Sequence, residues 1–246
     1  AARNGMILAY RLREEGAPVG AVRCRLNVSE FLSGGGVMAV SATIYLVRHG
    51  HVHNPQKILY GRLPRFRLSA RGVEEARAAG RFLNGTGLAA LYCSPLLRAR
   101  QTARQIQSFR PELPLRQSRY LVEIHTAYEG RPGAEVDALH GDVYTGAGPP
   151  YEQPADIVRR VLKFFAMARR RHPGGSLAAV THGDVIVFAM LWARGFALTP
   201  RNKAQLQALG FTGGYPATGS LTEFVFRTDS ARELPKIRYM KPSESR

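Results

Sequence analysis

Ile44-Tyr45-Leu46-Val47-Arg48-His49-Gly50 and Ser176-Leu177-Ala178-Ala179-Val180-Thr181-His182-Gly183 close alike, an apolar run followed by a histidine and a glycine. Both runs read as buried strands. In open α/β sheets, ligands bind beyond the carboxyl ends of the strands. His49 and His182 therefore stand where two histidines can face one another across a pocket. The glycine after each lets backbone approach a ligand closely. Arg48, beside His49, adds a planar cation suited to phosphate.

Outward from these runs, strand and helix patterns alternate. Leu68-Ser69 opens a helix with Val73, Ala76, Gly80 and Leu83 on one face and Ser69 as N-cap. Residues 88–93 read as a second strand. Ser94-Pro95 then reads as a helix start, with Ser94 at the N-cap and Pro95 at the first helical position. Arg98 falls in the first turns of that helix, and a helix N-terminus attracts anions. Residues 154–171 are amphipathic and end in His172-Pro173-Gly174-Gly175; 184–194 form an apolar helix. Leu221–Phe226 reads as a late strand and Ile237–Met240 as an edge strand. The glycines and prolines between 130 and 150 mark one long irregular loop. The alternation predicts a three-layer α/β/α sandwich with a mostly parallel sheet.

The 246 residues suffice for a buried core without disulfide or metal support. Residues 1–40 have weak periodicity and read as a flexible N-terminal extension, with Met38 as the natural start and 41–246 as the catalytic domain. Cys24 and Cys93 are the only cysteines and do not predict a disulfide, which points to the cytoplasm. No apolar run is long enough for a membrane span. His51-x-His53 has no carboxylate or cysteine partner in view, so no metal site is expected. His140 and His172 read as surface residues.

The charge is +17, from 35 Lys+Arg against 18 Asp+Glu. Such a balance suits nucleic acid, an anionic surface or a small anionic substrate. Only Lys57, Lys163, Lys203, Lys236 and Lys241 are lysines; the arginine excess reads mainly as compositional bias. Arg169-Arg170-Arg171 at a helix end fits the helix dipole rather than a nucleic-acid site.

Taken together, LVRHG (46–50), YGR (60–62), CSPLLRARQTA (93–103), LVEI (121–124) with YEG (128–130), and VTHGD (180–184) resemble the histidine phosphatase superfamily, in its phosphoglycerate-mutase-like branch. The resemblance spans about residues 42–227 and implies a phosphoglycerate-mutase-like fold. It implies His49 as the histidine that is phosphorylated, Arg48 and Arg98 as phosphate-binding arginines, and His182 as the second pocket histidine. Glu123 would be the acid for the leaving oxygen, with Glu129 and Asp184 as competing acids. No metal or cofactor is implied. Two features depart from the family pattern. Val52 stands where a Thr or Ser is usual, and Asn54 falls one place early, which puts its role as a phosphate ligand in doubt. Asn54 and Arg62 remain candidate substrate contacts, and Arg62, Arg65 and Arg67 suggest a second anionic group on the substrate.

The expected activity is metal-independent hydrolysis of a small anionic phosphorylated metabolite through a phosphohistidine. A phosphoglycerate-type mutase is the alternative; the short segment between Arg98 and His182 favours the phosphatase. A basic binding protein with a decayed active site is the alternative of another class. It predicts missing pocket residues, and none of the main four is missing. No specific nucleic-acid or membrane partner is expected.

Overall fold

The computed structural model describes residues 42–242. The expected N-terminal extension and start at Met38 lie outside the described residues. The elements run β1 (Ala42–Arg48), α1 (Ala70–Asn84), β2 (Leu88–Cys93), α2 (Leu97–Gln107), β3 (Leu115–Gln117), α3 (Gly133–Ala138), α4 (Pro154–Arg171), β4 (Ser176–Thr181), α5 (Gly183–Ala193), α6 (Pro200–Ala204), β5 (Leu221–Phe226) and β6 (Lys236–Met240). They build one six-stranded sheet in the order β3-β2-β4-β1-β5-β6. The first four strands in that order are mutually parallel; at one side β5 pairs antiparallel with β1, and β6 antiparallel with β5.

Strand alternation divides the core in two. Ile44 and Leu46 of β1 pack with α4 and α5 residues such as Phe165 and Phe188. Tyr45 and Val47 point the other way, into a cluster with Ala79 and Leu83 of α1 and Ala99, Ala103 and Ile106 of α2. Helices therefore cover both faces, as a parallel sheet requires. The result is the expected three-layer sandwich.

Several boundaries correct the sequence reading. Ser94 is not an N-cap: α2 begins at Leu97, with Leu96 at the cap and no side-chain capping bond. The 130–150 stretch is not wholly irregular, because it contains α3. β3 and α6 were not anticipated; three and five residues are too short to show a period. His172 is no simple surface residue: it caps α4, and its Nε2 lies 2.9 Å from the Tyr92 hydroxyl. Ser69 does cap α1, accepting the Gly72 N–H.

Candidate active site

The carboxyl ends of β2, β4 and β1 are neighbours, and their backbone bonds continue one residue past the strands. His49 N donates to Thr181 O (3.0 Å), and Ser94 N donates to Val180 O (2.9 Å). This brings Ser94, His182 and His49 into one row. The His49 and His182 rings are 5.1 Å apart, and both side chains are buried.

His49 Nδ1 lies 2.9 Å from the Gly50 carbonyl, which can only accept, so the ring proton sits on Nδ1 and Nε2 carries the lone pair. Burial, then the charges of Arg98 and Arg48, hold its pKa well below the usual imidazole value. Arg98 is 1% exposed. Its Nε donates to His49 Nε2 (3.2 Å), an Nη donates to Gly61 O (2.7 Å), and Tyr60 lies 4.7 Å beneath its guanidinium. Arg48 donates to Pro216 O (2.6 Å) and stacks over Tyr215, while its buried Nε has no partner.

His182 Nε2 pairs with Ser94 Oγ at 2.8 Å, and Ser94 Oγ accepts the Leu96 N–H. Donation from the serine hydroxyl to Nε2 would satisfy this set and place the His182 proton on Nδ1. That nitrogen is buried, without a hydrogen-bond partner, and 3.7 Å from Glu123 Oε2. Burial, followed by Arg98 and His49, holds His182 neutral.

The three candidate acids have different surroundings. Burial, then the negative charge of Asp184, raises the Glu123 pKa. For Asp184 burial pushes the same way, but Lys203 Nζ (2.6 Å) and the hydroxyls of Tyr144 and Tyr215 outweigh it and hold it below the usual carboxylate value. Glu129 Oε1 accepts the Arg62 backbone N–H (2.7 Å) against the Gly61 turn. Arg62 itself bonds the Glu123 carbonyl and Glu152, each at 2.7 Å, so its guanidinium anchors the Glu123 backbone. The amide of Asn54 is turned onto its own loop: Nδ2 donates to Ile58 O and Oδ1 accepts the Ile58 N–H. The sequence therefore overlooked Ser94, which fixes His182, and Tyr60, which supports Arg98. Ser94 was hidden by a good capping signal; Tyr60 stood in view in the YGR block without a partner to give it meaning.

Comparison with known proteins places this arrangement in context. The family model of the histidine phosphatase superfamily (branch 1) matches residues 44–216. Uncharacterized protein Rv0525 of Mycobacterium tuberculosis is 36% identical over 155 residues, 59% of this chain and 75% of that protein. Fructose-2,6-bisphosphatase TIGAR of Xenopus tropicalis is 32% identical over 128 residues, but the match covers 49% of this chain and 46% of TIGAR. Among solved structures, Bacillus stearothermophilus YhfR aligns with a TM-score of 0.63 at 27% identity, covering 74% of this chain and 90% of that one. Mycobacterial glucosyl-3-phosphoglycerate phosphatase Rv2419c aligns with a TM-score of 0.65 at 21% identity over 81% of this chain and 97% of its own, a likeness of fold.

Proposed function

The chain belongs to the histidine phosphatase superfamily; from that premise we propose that it is a phosphatase, hydrolysing small phosphomonoesters through a phosphohistidine at His49 without a metal ion. The observation that carries this reading is the convergence on one pocket of the His49 Nε2 lone pair, Arg98, the unpartnered His182 Nδ1–H and the Glu123 carboxyl.

In the first half-reaction His49 Nε2 forms the N–P bond as the P–O bond to the leaving group breaks. Arg98 turns its Nε from the imidazole to a phosphoryl oxygen. Arg48 and His182 Nδ1–H serve the remaining equatorial charge. Glu123, whose pKa burial raises, gives its proton to the leaving oxygen. In the second half-reaction the Glu123 carboxylate takes a proton from water as its oxygen attacks phosphorus. The N–P bond breaks, phosphate leaves, and His49 and protonated Glu123 are restored. Asp184 is unsuited to the acid's role, since three donors stabilise its charged form.

The test is turnover of p-nitrophenyl phosphate in EDTA. The wild type should be active, and His49→Ala should lose about a thousand-fold or more in kcat/KM. Rapid quenching should trap an acid-labile phosphoryl-enzyme in the wild type alone. Loss of turnover in EDTA, or an active Ala variant, would refute the proposal.

A further inference from the structure

Arg48 and Arg98 are held by the same two-part device, although the parts come from distant segments. The Arg98 guanidinium carbon lies 4.7 Å from the Tyr60 ring centre, and the carbonyl of the next residue, Gly61, accepts from one Nη at 2.7 Å. The Arg48 guanidinium carbon lies 5.1 Å from the Tyr215 ring centre, and the carbonyl of the next residue, Pro216, accepts from one Nη at 2.6 Å. In each pair the ring fixes the plane of the cation, and the carbonyl fixes its rotation within that plane. Neither part cancels charge. Among the described residues no carboxylate lies within ion-pair distance of Arg48 or Arg98, whereas Arg62 and Arg160 share Glu152. A carboxylate would also orient a guanidinium, but it would compete with a phosphoryl group for the N–H donors.

The Arg48 clamp is built into the fold. Tyr215 is 40% exposed, yet its hydroxyl is turned inward and donates to Asp184 Oδ1 at 2.6 Å. Asp184 is buried and held in turn by Lys203 and Tyr144. Gly183 makes the space for that hydroxyl: a Cβ there would lie 2.1 Å from it. The glycine after His182 thus admits Tyr215, a use that the strand-end pattern alone did not show. Beyond the ring, the Ala217 N–H donates to the Tyr239 hydroxyl (3.2 Å), and the Arg48 N–H donates to Ser220 O (2.9 Å). With one Nη on Pro216 O, the edge of Arg48 formed by Nε and the other Nη remains, and Nε is buried without a partner. Such an edge carries two parallel N–H groups, the arrangement that meets two oxygens of a phosphoryl group.

We propose that Tyr215 is a positioning residue for Arg48: tied through its hydroxyl to Asp184, its ring holds the guanidinium with the Nε edge ready for the phosphoryl group. Tyr215 acts through Arg48 and touches no reacting atom. An unclamped arginine would have to be ordered each time substrate binds, and the clamp removes that cost beforehand. The inference rests on the phosphatase reading above, in which Arg48 meets the phosphoryl group.

Variants that keep or remove the ring test it, with orthovanadate as the probe of the phosphoryl site. Tyr215→Leu should weaken competitive inhibition of p-nitrophenyl phosphate turnover by orthovanadate about tenfold, and lower kcat/KM by a similar factor. Tyr215→Met is a second ring-free variant, and thermal melts establish that each variant is folded. Tyr215→Phe keeps the ring and should lose no more than about threefold. Arg48→Lys has no flat guanidinium to clamp, so adding Tyr215→Leu to it should change kcat/KM by less than about twofold. Orthovanadate inhibition unchanged in a folded ring-free variant, whatever its melting temperature, would overturn the proposal. So would a Phe variant as impaired as the ring-free ones, or a Leu loss as large beside Arg48→Lys as in the wild type. Failure of the phosphatase reading would look different: the wild type itself would not hydrolyse p-nitrophenyl phosphate.

Discussion

The proposed role of His49 as nucleophile depends on where its proton is kept. A single backbone carbonyl, Gly50 O, holds the proton on Nδ1, while burial and two guanidinium groups prevent a second proton from binding. Glu123 is tuned in the opposite sense, and the two shifts together set a pH profile. Attack needs neutral His49 and protonated Glu123. The His49 pKa is depressed, so the acidic limb of kcat/KM should lie below the ordinary imidazole value of about 6.5. The Glu123 pKa is raised, so the basic limb should lie above the ordinary glutamate value of about 4.3. Glu123→Gln should flatten the basic limb. It should also cost about 10²–10⁴-fold on an alkyl phosphate, and much less on p-nitrophenyl phosphate, whose leaving group needs no proton. Equal losses on both substrates would remove Glu123 from the acid's role.

At the scale of elements, the pocket depends on how closely α1 approaches the loop after β1. A Cβ at Gly72 would lie 2.0 Å from the His51 carbonyl oxygen, and one at Gly50 would lie 2.2 Å from the Gly72 oxygen. Both contacts are to backbone, which cannot swing aside. Gly72→Ala should therefore destabilise by about 1–3 kcal/mol and lower kcat as well, because it pushes on the segment that holds the His49 proton. Gly85→Ala is the control: its Cβ would meet only Phe82 O, at 3.9 Å. Thermal melts and p-nitrophenyl phosphate turnover read both effects.

The start of α5 is fixed by another device. Asp184 ties it to Lys203 of α6 and to Tyr144 and Tyr215; the side chains of Asp184 and Lys203 are 7% and 10% exposed. Asp184→Asn leaves the lysine without its charge partner and should cost about 3–5 kcal/mol by urea denaturation. The Asp184 pKa is depressed, so its contribution is present above the unfolded value of about 3.9 and fades as pH falls. The cost of the variant should accordingly be largest at neutral pH and shrink in acid.

At the scale of the whole molecule, the net charge of +17 acts as a field rather than as a set of contacts. For an anionic substrate, kcat/KM should fall several-fold as ionic strength rises from about 0.02 to 0.3 M, while kcat changes little. A flat response would mean that the excess arginines do not steer substrate. No helix among the described residues is long and apolar enough to cross a membrane, and even the wholly buried α5 has only 11 residues.

The order of strands and helices was legible in the chain because apolar periodicity and caps are local signals. β1, α1, β2, α4, β4 and β5 were read close to their observed limits, and so were the paired His-Gly strand ends at His49 and His182. The division of labour among like residues was not legible. Glu123, Glu129 and Asp184 are all acids in the right blocks, yet one lies half-buried beside His182, one holds a turn, and one is saturated by Lys203 and two tyrosines. Arg62 and Lys57 are both cations near the site, yet Arg62 pairs with Glu152 and the Glu123 carbonyl, while Lys57 lines an open cavity. Ser94 likewise turned from a helix cap into the partner of His182. By itself the sequence determined which residue types stand at each strand end, since that follows from period and chain order. Only the tertiary structure decided what each side chain does there, because burial and partner charges come from segments far apart in the chain.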